Sequence, residues 1–236
     1  MSWKRRPTRG LTTLAAIVLV AVVAASQAGA RMRTTGCATS AYSYAGLQAS
    51  TEAGGVSATL AAVGTPTVTD GHVGGWIGVG GPNAGPGGKP EWIQVGFASF
   101  SPDPSIRVYY EVAVADASPR YVELARNIPP GERHALAVSE VPTRSSWWRV
   151  WVDGRAVSAP IHLPGSHQAW SPQALAENWN GGTGACNTFA YRFSNVRVAG
   201  TDGGWRPLRR GYVVEDAGYR VLQTSRDPRI FVARSA

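Results

Sequence analysis

Two residues that lie far apart in the chain have the chemistry needed to hydrolyse an amide bond together. Gln94 is the neutral amide in EWIQVGFASF, residues 91–100, and Glu177 is the carboxylate in ALAENWN, residues 174–180. A glutamate can take a proton from water as a general base and return it to the leaving nitrogen. A glutamine amide can donate a hydrogen bond to the developing oxyanion. Because the reference pKa of glutamate is about 4.3, such a pair is best suited to acidic pH.

The strands that carry these residues are predicted to turn them away from the core. Side chains alternate between the two faces of a strand, so apolar residues at every second position mark the buried face. The predicted outward set comprises Trp92 and Gln94 on one strand, Tyr109 and Glu111 on a second, and Leu175, Glu177 and Trp179 on a third. Outward Gln and Glu are more often solvated strand residues than catalytic ones, so this pattern permits the chemistry without requiring it.

The rest of the chain predicts an all-β fold. Helical periodicity is nearly absent, and many short runs rich in Val, Ile, Tyr, Phe and Trp are separated by Gly, Pro, Asn and Asp. This pattern favours an antiparallel β-sandwich or barrel in one domain over residues 42–236. The stretch GGPNAGPGGKP, residues 80–90, is expected to be a loop within that domain and not a linker.

The N-terminal residues read as a secretory signal peptide. Residues 1–10 carry four basic residues and no acid, Leu11 to Ala25 is apolar, and Ala28-Gly29-Ala30 has the small-x-small form of a cleavage site. We therefore expect cleavage after residue 30, an N-terminal extension at 31–41 and an extracellular mature protein. An uncleaved anchor is the alternative, although the apolar run is short for a membrane span of about 20 residues.

Charge and cysteine content fit an exported protein that does not bind nucleic acid. The chain has 23 basic and 15 acidic residues, and removing the four basic residues of 1–30 lowers the net charge from +8 to +4. The late arginines are spread through strand-like sequence and form no basic run. The two cysteines, Cys37 and Cys186, are expected to form one disulfide, as in other exported proteins. Neither a nucleic-acid partner nor a lasting membrane contact is predicted, and we expect a monomer.

Other kinds of site find little support in the sequence. The four histidines, His72, His134, His162 and His167, are interpreted as loop residues, and no acidic or cysteine partners complete a metal site. The glycines of residues 78–88 lack the setting of a phosphate-binding loop. We therefore predict no metal and no cofactor.

The motifs, taken in order, resemble the glutamic peptidases (eqolisins, peptidase family G1). VGGWIGVGG followed by WIQVG is similar to the family's tryptophan-glycine and glutamine strands, VYYEVAV to its aromatic-aromatic-Glu strand, and LAENWN to its Ala-Glu-Trp segment. The flanking strands agree too, so the resemblance covers about residues 42–234. It implies a concanavalin A-like jelly roll, a β-sandwich of two curved seven-stranded sheets with the active groove on the concave face.

The resemblance also assigns roles. It implies that Gln94 and Glu177 are the catalytic pair and that Trp76 and Glu111 support the groove. Together with the outward pattern, it predicts a peptide-binding groove shaped by Trp76, Trp92, Tyr109, Glu111 and Trp179. The predicted function is a secreted glutamic endopeptidase that acts on proteins or peptides.

The sequence also allows two alternative functions. Outward aromatic residues, namely Trp92, Tyr109, Trp170 and Trp179, could stack on sugar rings in a non-catalytic module that binds carbohydrate or peptide. Glu111 and Glu177 could instead form the carboxylate pair of a glycoside hydrolase. Among the other tryptophans, Trp148 is expected in the core, because Val150 and Val152 share its face.

Overall fold

The protein is an antiparallel sandwich of two β-sheets. The computed structural model describes residues 42–200, 202–223, 227 and 229–236. Within them the strands are β1 (Tyr42–Ala49), β2 (Gly55–Ala62), β3 (His72–Gly81), β4 (Glu91–Phe100), β5 (Arg107–Ala113), β6 (Arg120–Arg126), β7 (His134–Val141), β8 (Arg144–Val152), β9 (Arg155–Ala156), β10 (Ile161–His162), β11 (Gln173–Trp179), β12 (Ala190–Ala199), β13 (Trp205–Pro207), β14 (Gly211–Glu215), β15 (Tyr219–Leu222) and β16 (Phe231–Ser235). The loop before β4 contains one 3₁₀ turn, Pro86–Gly88.

The strands divide unequally between the sheets. The first sheet has seven strands in the order β14-β1-β11-β3-β4-β5-β6. The second has the order β10-β8-β7-β2-β12-β16-β15, and the short strands β13 and β9 pair with β12 and β8. The expected seven strands are therefore present in the first sheet, whereas the described part of the second has nine. Neighbouring strands are antiparallel throughout.

The core lies between the inner faces of the two sheets. From the first sheet, β4 contributes Ile93, Val95 and Phe97, all fully buried. From the second, β8 contributes Trp148, which is also fully buried, as its neighbours in the sequence predicted. Burial of a large apolar side chain of this kind stabilises the fold by about 1.5–3 kcal/mol. The period-2 pattern therefore assigned the inner faces of these strands correctly.

One predicted outward tryptophan belongs to the core. Trp170 is buried, its ring lies 6.3 Å from that of Trp148, and its indole donates a hydrogen bond to the carbonyl of Ala84. The hypothesis that Trp170 stacks on sugar is therefore wrong. The residue follows the turn before β11 and not a run of alternating residues, so the strand pattern gave no information about its direction.

Two segments differ from the predicted strands. The run RYVELAR forms β6, at the edge of the first sheet, although its charged sequence did not suggest a strand. Charged residues are common on edge strands because they discourage pairing with other chains. Residues 155–163, RAVSAPIHL, are predicted from their sequence to form one strand, but they contain only the two-residue strands β9 and β10.

Three predictions concern residues outside the described part of the chain. The signal peptide and the extension at 31–41 lie wholly outside it, and so does Cys37, the partner expected for Cys186. The disulfide therefore stays a prediction. Among the described residues, no helix is both long and apolar enough to cross a membrane.

Candidate functional site

Four adjacent strands of the first sheet, β11, β3, β4 and β5, carry the predicted site on their outer face. Glu177 of β11 lies opposite Gly74 of β3, and Gln94 of β4 lies opposite Gly78 of β3 and Glu111 of β5. Residues paired on neighbouring strands have their side chains on the same face of a sheet, and side chains alternate along each strand. Glu177, Gln94 and Glu111 therefore lie on the same face. Residues separated by many positions in the sequence are thereby placed on one surface.

The Glu177 carboxylate is held by side chains of two neighbouring strands. Nε2 of His72 lies 2.9 Å from Glu177 Oε1, and the Trp76 indole nitrogen donates to Oε2 at 3.3 Å. Tyr44, directly opposite Glu177 on β1, forms a side-chain hydrogen bond with the same carboxylate. Contacts to both oxygens fix the orientation of the carboxylate, while its side chain remains 12% exposed.

The Gln94 amide is buried but points along the sheet towards Glu177. The β3 residues opposite Glu177 and Gln94 are Gly74 and Gly78, which are four positions apart. The two side chains therefore begin about 13 Å apart in the direction of the strand, at 3.3 Å per residue. Gln94 Nε2 donates to the Tyr109 hydroxyl at 3.1 Å, and a Cβ added at Gly74 would lie 3.8 Å from that same oxygen. The Tyr109 hydroxyl therefore lies between the glutamine and the position opposite Glu177.

Burial keeps the Tyr109 phenol protonated. Its pKa is raised well above the usual value, first by burial and then by the negative charges of Glu177 and Glu111. Because its oxygen accepts from Gln94, the hydroxyl proton is still available to donate. The site thus has two neutral hydrogen-bond donors, an amide and a phenol, beside a carboxylate.

Glycines on β3 and β4 leave space for the side chains of the site. At Gly96 a Cβ would lie 2.6 Å from Cβ of Trp76, and at Gly78 it would lie 2.8 Å from Cβ of Gln94. A larger residue at either position would displace a side chain of the site. Glycine at positions 78 and 96 is therefore required by the packing of Gln94 and Trp76.

Glu111 and Trp92 form the other end of this surface. The Trp92 side chain hydrogen-bonds to the Glu111 carboxylate. The pKa of Glu111 is raised, mainly by burial and also by the charge of Glu177, whereas His72 and the Trp92 hydrogen bond oppose the shift. Glu111 is thus electrostatically linked to Glu177 although two strands, β3 and β4, lie between them.

Aromatic rings surround the Glu177 end. Trp179 stacks on Tyr42 with ring centroids 6.2 Å apart, and Tyr42 is 48% exposed. Tyr121 of β6 stacks on Tyr109 at 4.9 Å. Of the predicted groove residues, Trp76 and Tyr109 are buried, whereas Trp92, Glu111 and Trp179 are half-buried and remain accessible.

Sequence reasoning missed His72 and Tyr44. The interpretation of the histidines as loop residues is wrong for three of them, because His72 and His134 begin β3 and β7 and His162 ends β10. A signal for His72 was available, since it lies four positions before Trp76 and therefore on the same face of the strand. Across the described part of the chain, no three His, Cys, Asp or Glu residues group as they would around a metal ion.

Comparison with solved structures places this fold beside the glutamic peptidases. Scytalido-glutamic peptidase, solved with a transition state analog inhibitor, is 17% identical, with 82% of this chain and 98% of that chain covered and a TM-score of 0.58. SCP-B, a member of the eqolisin family solved with the tripeptide Ala-Ile-His, is 18% identical, with 83% and 98% covered and a TM-score of 0.49.

The similar solved structures also include β-sandwich enzymes that degrade polysaccharides. An alginate lyase from Pseudomonas aeruginosa is 18% identical, with 63% of this chain and 65% of that chain covered and a TM-score of 0.45. No protein-family model and no curated protein matches the sequence. The expected likeness to the glutamic peptidases is therefore confirmed for the fold, on which different activities can be built.

Proposed function

We propose that this protein is a secreted hydrolase that cleaves peptide bonds with Glu177 and Gln94, most actively at acidic pH. The observation that carries the proposal is the outer face of the first sheet. There a carboxylate held at both oxygens and a glutamine amide directed towards it lie on one surface. The ordered motifs and the likeness of fold support the same activity.

In the proposed reaction, Glu177 takes a proton from a water molecule whose oxygen attacks the carbonyl carbon of the scissile peptide bond. The Gln94 amide, with its remaining N–H, donates to the oxyanion that forms. Glu177 then returns the proton to the leaving nitrogen as the C–N bond breaks, so that the carboxylate is regenerated. Trp92, Glu111 and Trp179 would contact the bound peptide on either side.

The test is hydrolysis of an unfolded protein by residues 31–236 between pH 2 and 7. Loss of a general base costs about 10²–10⁴-fold and loss of an oxyanion donor about 10²–10³-fold, so Glu177→Gln and Gln94→Ala should each lose activity on this scale. The exposed residues Glu52 and Gln223 supply matched controls, Glu52→Gln and Gln223→Ala, which should cleave normally. Absence of cleavage by the unaltered protein at every pH would contradict the proposal.

The second candidate is a non-catalytic extracellular module that binds carbohydrate or peptide on the same face. The exposed Tyr42 ring stacked on Trp179 supports it, since such aromatic surfaces suit sugar rings and peptide side chains. Tryptophan fluorescence titration with oligosaccharides and unfolded peptides tests this candidate. Binding that Trp179→Ala abolishes, without hydrolysis of any ligand, would favour it over the peptidase.

A further inference from the structure

The outer face of the second sheet carries a groove that the proposed reaction does not use. The groove has a volume of about 610 Å³, within the range of about 300–1,000 Å³ that is usual for ligand-binding clefts. Its floor is formed by β12, β2, β7 and β8. Because Gln94 and Glu177 lie on the outer face of the first sheet, this second-sheet groove is on the opposite side of the sandwich and is a separate site.

Strand register places small residues between two tryptophans in this groove. Two neighbouring rows of paired residues cross the face. The first row is Trp151, Ala137, Ser57 and Arg197. The second row is Ser139, Gly55, Ala199 and Trp205. The tryptophans stand on β8 and β13, which are four strand spacings apart, about 19 Å at 4.8 Å per strand, and the residues between them are too small to fill the space.

Both tryptophans line the groove and are only half-buried. The Arg149 guanidinium lies 5.8 Å from the centroid of the Trp151 ring, and Arg197 donates a hydrogen bond to the Trp205 carbonyl at 2.8 Å. An indole with an accessible face buries apolar area when a flat ligand ring stacks on it. The groove therefore offers two apolar surfaces, one at each side of a floor of small residues.

Glu140 supplies a hydrogen-bond acceptor at one end of the groove. Its side chain is only 12% exposed, and its Oε1 accepts from the Ser146 backbone nitrogen and lies 2.8 Å from Nδ1 of His167. Neither contact uses Oε2, and a Cβ added at Gly54, which also lines the groove, would lie 3.9 Å from that oxygen. Glu140 Oε2 is thus placed to accept from a ligand hydroxyl, and a bond to a charged acceptor is stronger than one between neutral groups.

The charges of the groove favour a neutral ligand. Its charged and titratable lining residues are Glu140, Asp202, Arg197 and His167. Asp202 is paired with Arg206, and Glu140 with His167. Two carboxylates oppose the binding of an anionic chain, and the arginine opposes that of a cationic one. The groove has no excess of either charge to attract a strongly charged ligand.

The strands of the floor do not favour an extended peptide. A peptide that binds by adding a strand needs an unpaired sheet edge. Here β2 is paired with β12 and β7, and β7 is paired with β2 and β8. Recognition must therefore come from side chains, which in this groove are indole faces, the Ser57 and Ser139 hydroxyls and the Glu140 carboxylate.

We propose that the second-sheet groove binds a neutral oligosaccharide of β-1,4-linked pyranose rings. Rings with equatorial substituents expose C–H groups on their faces and hydroxyls around their edges, and this linkage joins them into a flat chain. The faces would stack on Trp151 and Trp205, and the hydroxyls would bond to Glu140 and the floor serines. The proposal does not depend on peptide hydrolysis.

The test is calorimetric titration of the protein with two neutral β-1,4-linked probes, cellohexaose and chitohexaose. At least one should bind saturably. Trp151→Ala and Trp205→Ala should each weaken that binding about tenfold or more, because each removes a buried aromatic contact. Trp151→Phe keeps a ring and should retain most of the affinity, which separates loss of stacking from loss of folding.

Two further variants locate the site. Ala137→Tyr leaves both tryptophans in place but fills the middle of the floor, so it should also weaken binding about tenfold or more. Trp179→Ala, on the first sheet, should leave the Kd unchanged. Failure of both hexasaccharides to bind would overturn the proposal. So would binding that Trp179→Ala abolishes and Trp151→Ala leaves intact, since the sugar would then occupy the first sheet. Neither result bears on whether Glu177 and Gln94 hydrolyse peptides.

Discussion

At the scale of single residues, the site is built from polar groups that satisfy one another. Gln94 is 8% exposed, yet its amide has the Tyr109 hydroxyl as an acceptor. A buried donor without a partner would cost about 1–3 kcal/mol. The same contact directs the amide towards Glu177, so one hydrogen bond serves both stability and the proposed chemistry.

Tyr109→Phe tests this contact. The change removes the oxygen that accepts from Gln94 and leaves the ring and its stacking on Tyr121 in place. We expect kcat to fall about tenfold or more, with little change in KM, because the amide is no longer aimed, and we expect the free energy of unfolding to fall by about 1–3 kcal/mol. Tyr212→Phe, at an exposed tyrosine, is the control. Full activity in Tyr109→Phe would show that Gln94 needs no such support.

Glu111→Gln tests the electrostatics of the same surface. Because the pKa of Glu111 is raised in the folded protein, mainly by burial, the folded state binds this proton more tightly than the unfolded state. The resulting stabilisation is present below the unfolded pKa, near 4.3, and is lost as the pH rises through the folded pKa. The glutamine variant cannot ionise, so its Tm should equal that of the unaltered protein at pH 3 and exceed it at pH 7. A Tm difference that does not change with pH would contradict this account.

At the scale of elements, β3 determines the geometry of both faces of the first sheet. Its outward positions are His72, Gly74, Trp76 and Gly78, which alternate between side chains that contact Glu177 and glycines that make room for them. Its inward face includes Gly75, where the Tyr191 ring of the second sheet packs against the backbone. The same strand therefore supports the site on one face and accommodates the Tyr191 ring of the second sheet on the other.

Gly75→Ala should destabilise the fold. A Cβ at this position would lie 2.5 Å from Cγ of Tyr191, and that residue is fully buried. Overpacking of this kind costs about 1–3 kcal/mol. On the same strand, Gly81→Ala meets nothing within 4 Å and should change the free energy of unfolding little. Denaturant unfolding of the two variants compares them directly, and equal stabilities would refute the packing argument.

At the scale of the whole molecule, one sandwich positions every residue of the candidate site through a single sheet. The groups that contact Glu177 come from β1 and β3, the strands on either side of it, so hydrogen bonding between strands fixes their spacing. Any cross-link that stabilises the sandwich as a whole therefore also stabilises the site.

Cys186→Ser tests the expected disulfide. A bond to Cys37 would close a loop of roughly 150 residues, and chain entropy predicts a stabilisation of about 5 kcal/mol if the bond is unstrained. The serine variant should unfold at lower denaturant concentration and should match the unaltered protein after reduction. Mass mapping of unreduced peptides checks the pairing itself. Thiol labelling of both cysteines in the unreduced protein would exclude the bond.

The alternating pattern of the sequence is enough to predict the antiparallel sandwich and the inner faces of β4 and β5. It succeeds because a strand buried on one face must repeat its apolar residues with period two. It failed for β6, because this edge strand has many charged residues and few buried apolar ones. It also failed for Trp170, which lies outside any alternating run and is buried.

The sequence by itself also indicated Gln94 and Glu177, because the alternating pattern turns both outward and the motifs around them resemble those of the glutamic peptidases. Only the tertiary structure decided which residues surround them. The pairing of β11 with β3 brings His72 and Trp76 to the two oxygens of Glu177, and the reach of Tyr109 over Gly96 brings its hydroxyl to Gln94. Strand register and side-chain direction set these contacts, and both depend on how distant segments pack, which no local pattern records.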